Sequence, residues 1–240
     1  MADSERSHPL ADAFVWQSIV LAGHSMVADR SGALYWPAHD ALVVADLHLE
    51  KASSYALRGT LLPPYDTRET LGRLAEAIDR YEPAMVIALG DSLHDPDAAG
   101  RLGMQEQARL AQLLGKHRWI WITGNHDGAV AGALGGEVRD DITLSGVVLR
   151  HTPSAFEQAS EIAGHLHPAA RIALGGRVLR RPCFVTNGRQ LVLPAFGTFT
   201  GGLNVLDAAF APLRDAGGLA VWMLGAEGLY PVATDLLQGD

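Results

Sequence analysis

At 240 residues the chain lies above the usual single-domain size but within the reach of one α/β sandwich, and 48% hydrophobic against 19% charged residues is ample for a large core. No apolar run approaches the roughly 18 residues that a membrane span requires, and the polar start over residues 1–12 holds no apolar signal-peptide region, so the expectation is a soluble, cytoplasmic chain with a flexible tail over 1–15. The single cysteine, Cys183, excludes an internal disulfide and a cysteine-based zinc site, while a net charge of -8 excludes a protein that coats nucleic acid with its whole surface.

Along the chain, residues 19–21, 26–28 and 34–36 have the character of short strands, the last two joined by the turn-prone Asp29-Arg30-Ser31-Gly32, so a hairpin opens the domain. Three continuous apolar runs follow, 41–45, 85–89 and 119–123, each ending in polar residues, as strands buried on both faces would. Helical spacing fills the gaps at 67–81, where Leu71, Leu74 and Ile78 lie three and four apart, and at 104–116. This β-α-β-α-β order predicts a parallel sheet with helices outside it and ligands at the carboxyl ends of its strands. The second half turns to short strands at 147–150, 161–163, 171–173, 184–186, 190–193 and 221–224, with few helices between them. A second, mixed sheet packed on the first is predicted, giving an α/β fold of the four-layer α/β/β/α sandwich type, with residues 16–240 forming one domain.

The polar residues at the strand ends are Asp46-Leu47-His48, Gly90-Asp91, Gly124-Asn125-His126-Asp127, His151 and Gly164-His165-Leu166-His167. With 17 Asp and 10 His, one Asp-x-His arises about 0.7 times by chance, and a lone His is more often a satisfied polar group than a ligand. The ordered set is much rarer than any member. In Asp46-x-His48 and His165-x-His167, alternation along an extended backbone would aim both flanking side chains at one metal. The glycines before Asp91, Asn125 and His165 allow sharp turns and close approach of backbone to an ion or phosphate. Imidazole, carboxylate and amide without thiolate suit Mn²⁺, Fe²⁺ or Zn²⁺, with Mn²⁺ the first choice. His8, His24, His39 and His117 match no block and are read as surface or packing residues.

These five blocks resemble the signature of the calcineurin-like metallophosphoesterases, in order and complete. The resemblance implies a dinuclear centre in which Asp46, His48, Asp91 and His167 hold one divalent ion and Asp91, Asn125, His151 and His165 hold the other, with Asp91 bridging. It also implies that His126 faces the substrate as general acid and that Asp127 orients or charges it, although Asp127 could instead cap the following segment. His94 either hydrogen-bonds the bridging Asp91 or sits near the phosphate, as the corresponding His does in related nucleases; a purely structural role stays open. Two ions roughly 3.5–4 Å apart lower the pKa of a bridging water and neutralise phosphoryl charge, so hydroxide would attack phosphorus in line.

Asp46-Leu-His-Leu-Glu-Lys51, Leu62-Pro-Pro-Tyr-Asp-Thr67, Arg181-Pro-Cys-Phe184 and Leu193-Pro-Ala-Phe-Gly197 followed by Gly201-Gly202 resemble a narrower group, the DNA-ligase-associated metallophosphoesterases, described as DNA damage response endonucleases. This resemblance implies phosphodiester cleavage in DNA beside a ligase and a helicase. Residues 162–206 contain no Asp or Glu but five arginines, Arg171, Arg177, Arg180, Arg181 and Arg189, which could present positive charge to a polyanion or form only a solvated face. Lys51, Arg58, Arg177, Arg180 and Arg181 are therefore candidate substrate contacts. A phosphohydrolase of nucleotides, cyclic nucleotides or other small phosphate esters is the alternative, and a scaffold without catalysis is opposed by the intact blocks.

Overall fold

The computed structural model describes residues 16–126, 134–154, 159–215 and 218–240; the expected tail, residues 1–15, lies outside them. The first half builds β1 (Trp16–Leu21), β2 (His24–Asp29), β3 (Leu34–Trp36), β4 (Ala41–Val44), α1 (Lys51–Leu57), α2 (Asp66–Tyr81), β5 (Met85–Leu89), α3 (Ala98–Arg101), α4 (Met104–Leu114), β6 (Arg118–Ile122) and β7 (Glu137–Arg139). The second builds β8 (Asp141–Leu144), β9 (Val147–Arg150), β10 (Ser160–Ala163), β11 (Pro168–Leu174), β12 (Arg177–Thr186), β13 (Gln190–Val192), β14 (Leu203–Asn204), α5 (Ala211–Asp215), β15 (Ala220–Leu224) and β16 (Leu229–Val232).

In the first sheet the strands run in sequence order β1 to β7, antiparallel up to β4 and parallel from β4 to β7. Its central strands are buried on both faces, and their period of two divides each between two cores. Val43, Ile87, Leu89, Ile120 and Ile122 enter the core between the sheets, whereas Leu42, Val44, Val86, Ala88, Trp119 and Trp121 face Leu71, Leu74 and Ile78 of α2 and Leu110 and Leu113 of α4. Each fully buried Leu or Ile contributes about 1.5–3 kcal/mol, which fixes the helices on the sheet.

The second sheet has the order β14-β11-β12-β13-β10-β9-β8, with β15 on β12 and β16 on β15. Strands β9, β10 and β13 are mutually parallel, and the remaining pairs are mostly antiparallel. Val147, Leu149, Ile162, Phe184 and Leu191 pack it against the first sheet, while Cys183, Val185 and Val192 pack outward against Phe210 and Leu213 of the α5 region. Two mixed sheets flanked by helices result, in the expected layering.

Several elements were not anticipated: α1, α3, α5, β7, β8, β14 and β16. Helix α1 has seven residues, too few for a periodic signal or for independent stability. Distant side chains secure it: Thr67 Oγ1 accepts from Glu50 N at 2.8 Å, and buried Asp66 Oδ2 accepts from Ala52 N at 2.9 Å. Strands β7 and β8 carry only exposed and half-buried residues with little apolar content, and only pairing defines them.

Candidate metal centre

Parallel pairing brings the carboxyl ends of β4, β5 and β6 side by side. Beyond those ends, Asp46 N donates to Gly90 O at 3.2 Å and His48 N to Asp91 O at 2.8 Å, so the first two blocks are laced together by backbone. On the second sheet, parallel β9 and β10 pair Arg150 with Ala163, and Gly164 N donates to His151 O at 3.0 Å, which sets His151 next to His165. The sheets converge at one rim, where two clusters form: Asp46, His48 and His167, and Asp91, His151 and His165, each with ligand atoms within 4.8 Å of one another. Each cluster draws on both sheets.

The local backbone differs from the alternating strand expected for Asp46-x-His48 and His165-x-His167. Asp46 (φ 54°), His48 (φ 44°), His165 (φ 69°) and His167 (φ 45°) are left-handed, as is Asp91 (φ 47°). The side chains converge because the chain coils after leaving the sheet, not because it stays extended. Left-handed non-glycine residues cost of order 1–3 kcal/mol each and persist only where surroundings impose them.

The glycines of the blocks allow close packing against ligand residues. A Cβ on Gly90 (φ 75°) would collide with the His151 ring, and one on Gly124 with the Asp91 amide and carboxylate. On Gly164 it would lie 2.7 Å from Asp46 Oδ2.

Outer partners orient the ligands. The Leu89 carbonyl, 2.9 Å from His151 Nδ1, and the Gly201 carbonyl, 3.2 Å from His167 Nδ1, can only accept, so those nitrogens carry hydrogens and leave each Nε2 lone pair for a cation. His165 N donates to Asp46 Oδ2 at 2.9 Å and His126 N to Asp91 Oδ1 at 2.9 Å. Asn125 Nδ2 lies 3.1 Å from His165 Nδ1, adding an amide to the second cluster. Burial, reinforced by His167 and Lys51, pushes the His48 pKa down to about 2, and burial also lowers that of His165. For His167 burial acts downward, but the hydrogen bond and charge of Asp46 outweigh it and raise the pKa. Imidazole, carboxylate and amide donors without thiolate fit divalent transition-metal ions, and neutral imidazole is the form that binds them. The fold and the two clusters together support a dinuclear divalent-metal centre.

Other residues singled out by sequence fall at varied distances. His126 is half-exposed over this rim, its Nε2 3.9 Å from Asp91 Oδ2. His94 stacks on His126 with ring centroids 5.6 Å apart and lies 3.3 Å from His48 through their Nδ1 atoms; burial, with Lys51 next, lowers its pKa to about 4. Asp127 lies outside the described residues. Lys51 is half-buried beside His48 and His94, and burial lowers its pKa. The charge of exposed Arg58 also acts, weakly, on His94. Arg180 and Arg181 line a cavity of about 100 Å³ with His167, whereas Arg177 pairs with Leu174 at the far end of the β11–β12 hairpin. Arg180 is engaged by Gly202 O at 2.6 Å and Asp240 at 3.4 Å, and Arg171 by Gly239 O. Sequence reading gave no role to Tyr55, whose ring lies 5.8 Å from that of His94, or to Glu50, Asp66 and Thr67, which secure the start of α1. The only sequence signal for Asp66 and Thr67 was their place in the Leu62–Thr67 resemblance. His24, His39 and His117 contact Ser145 and Pro83, away from the clusters.

Among the described residues no helix is long and apolar enough to cross a membrane. The chain is 32% identical to the Pseudomonas putida nuclease MPE, with a TM-score of 0.71 over 90% of this chain and 100% of that one. More distant are Yfce, a phosphoesterase from E. coli, at 15% identity and TM-score 0.39 over 82% of this chain and 94% of that one, and an Aquifex aeolicus protein at 18% and 0.37 over 53% and 78%. No curated protein sequence matches. The calcineurin-like phosphoesterase model matches residues 40–180, which span all five blocks. With that match, the nuclease likeness and the paired clusters, the chain is a metal-dependent hydrolase of ester bonds and belongs to the calcineurin-like phosphoesterase family.

Proposed function

We propose that this enzyme is a dinuclear phosphodiesterase that cuts DNA, in the cytoplasm and in a repair setting beside a ligase and a helicase. The observation that carries the reading is the position of Asp91: its Oδ2 is 3.9 Å from His48 Nε2 in one cluster and 3.5 Å from His151 Nε2 in the other, as a bridging carboxylate requires. The likeness to a nuclease at 32% identity over nearly the whole chain supports nucleic acid as substrate.

In this reading Asp46, His48, Asp91 and His167 hold one ion and Asp91, Asn125, His151 and His165 the other, Mn²⁺ before Fe²⁺ or Zn²⁺. When bound, the two ions withdraw charge from the phosphoryl oxygens and lower the pKa of water at the centre. His126, tethered through its N–H to Asp91, presents a half-exposed imidazole from which the leaving oxygen takes a proton, and His94 stacks behind it to hold its plane. Asp127, next in sequence, orients or charges that imidazole. Lys51 and Arg58 near His94, and Arg180 and Arg181 beside His167, draw in the phosphate backbone, with Arg177 extending the basic strip along the hairpin.

One observation favours the small-ester alternative: Arg171 and Arg180 are already occupied by Gly239, Gly202 and Asp240. Nicking of supercoiled DNA with Mn²⁺, measured beside mononucleotides, cyclic nucleotides and a p-nitrophenyl diester with an EDTA control, separates the two. Metal-dependent nicking far above turnover of the small esters is expected; turnover of small esters without nicking would sink the DNA reading.

A further inference from the structure

The segment 194–202, which leaves β13 and returns toward β14, wraps around part of the metal centre. Phe196 N donates to Ala45 O at 2.8 Å and Gly197 N to Asp46 O at 3.0 Å. Gly197 sits so tightly on the Leu47 carbonyl that any Cβ there would collide with it. At the other end of the segment, Gly201 O receives the His167 Nδ1 hydrogen, Leu203 N donates to His167 O at 3.1 Å, and a Cβ on Gly202 would strike that same carbonyl. Thr200 Oγ1 donates to Gly197 O at 2.8 Å, closing the segment on itself. One loop thus grips Asp46 and His167, two of the three residues in the first cluster, both on left-handed backbone.

Helix α2 holds this loop from behind. Buried Thr70 Oγ1 accepts from Thr198 N at 3.0 Å and lies 3.2 Å from Thr198 Oγ1. Two residues on from Phe196 this pins the centre of the loop. Arg73, almost one turn beyond Thr70, donates from its guanidinium to Phe196 O and lies over the Phe196 ring with its Cζ 5.1 Å from the centroid. A planar guanidinium makes both contacts at once, which an ammonium does not. These hydrogen bonds of Thr70 and Arg73 go to Phe196 and Thr198 of the loop.

We propose that Thr70 and Arg73 are positioning residues for one metal position: through loop 194–202 they set the backbone of Asp46 and the tautomer and aim of His167. The inference rests on the dinuclear reading above and adds the support that distinguishes the two positions. The second cluster touches this loop only through Asp46, which accepts from His165 N, and has supports of its own in the Leu89 carbonyl under His151 and Asn125 beside His165, so α2 acts first on the first position. Outer partners of metal ligands are typically worth about 10–100-fold in metal affinity.

The test is Mn²⁺ binding alone, followed by calorimetry and metal analysis on the full chain. Thr70→Val removes the hydroxyl at nearly constant volume, Thr70→Ser restores it, and Arg73→Ala removes the clamp on Phe196. Thr70→Val and Arg73→Ala are each expected to weaken one of two Mn²⁺ ions by about 10–100-fold and the other much less, with Thr70→Ser returning to wild type. To identify the affected ion, Thr70→Val is combined with His151→Ala, which leaves the first position, and with His48→Ala, which leaves the second. Affinity should fall mainly in the His151→Ala background. Folded variants that bind two ions as wild type does, or that weaken both equally, would overturn the proposal while leaving the dinuclear reading intact. Wild-type protein binding a single ion would overturn that reading and this proposal together.

Discussion

The first cluster and the second are made of the same residue types but rest on different supports. Asp46, His48 and His167 all stand on left-handed backbone just outside the sheets, and a loop held from α2 keeps two of them there. In the second cluster His151 directly follows β9 with its ring buried beneath Gly90 and its Nδ1 on a strand carbonyl, and only Asp91 and His165 are left-handed. The difference teaches where vulnerability lies: strained ligands depend on what surrounds them, whereas a ligand on a paired strand inherits the strand's own stability. The first position is expected to be the labile one.

The largest effect should come from erasing the comparison. Asp91→Ala removes the carboxylate that faces both clusters, so metal analysis should find both ions weakened and turnover reduced beyond the roughly 10²–10⁴-fold of a missing general acid. His48→Ala should weaken mainly one. Two tightly held ions in Asp91→Ala would mean that the clusters do not share this ligand.

His126→Ala keeps both clusters intact and should cost about 10²–10⁴-fold in turnover with metal content unchanged. A p-nitrophenolate leaving group, which needs no proton, should recover most of that activity. An equal reduction with that leaving group would assign His126 to metal or phosphate binding instead.

Arg180 and Arg181 of the proposed basic strip share a cavity with His167 of the first cluster, which sharpens the comparison on the substrate side. Neutralising Arg180 and Arg181, which share a cavity with His167, should weaken DNA cleavage more than cleavage of a small diester and lower the slope of log affinity against log salt by about 0.7–0.9 for each phosphate no longer neutralised. Arg177, farther along the hairpin, should matter only for longer DNA. An unchanged salt slope in the Arg177, Arg180 and Arg181 triple variant would make the strip a solvated face.

The smallest effect concerns the tie between α1 and α3. Arg101 grips Asp95 through hydrogen bonds of 2.9 and 2.5 Å and donates to Ser53 of α1 at 2.9 Å, and its hydrogen bond to Asp95 holds that carboxyl at about 2, below its ordinary value of 3.8. A depressed carboxyl stabilises the fold above its unfolded pKa and loses that contribution as pH falls through the folded value. Metal-free wild type should therefore exceed Asp95→Asn by about 1 kcal/mol at pH 5, solvent screening allowed for, and lose most of that advantage by pH 2. Urea midpoints at the two pH values measure it, and a constant difference would refute the assignment.

Most of the regular fold was legible in the amino-acid sequence because central strands and long helices carry periodic apolar patterns. Residues 85–89 and 147–150 coincide with β5 and β9, and 67–81 falls within one residue of α2. The five polar blocks were legible as well, since strand ends in a parallel sheet are where ligands gather, and their order is improbable by chance. Tertiary structure decided what local pattern cannot encode. Left-handed turns at Asp46, His48, His165 and His167 replaced the expected alternation, because packing against Gly164, Gly197 and Gly202 imposes backbone angles that the residues would not adopt alone. It likewise formed α1 from seven residues, using Asp66 and Thr67 from the next helix, and tied Thr70 and Arg73 to a loop about 125 residues away, a separation over which no spacing rule operates.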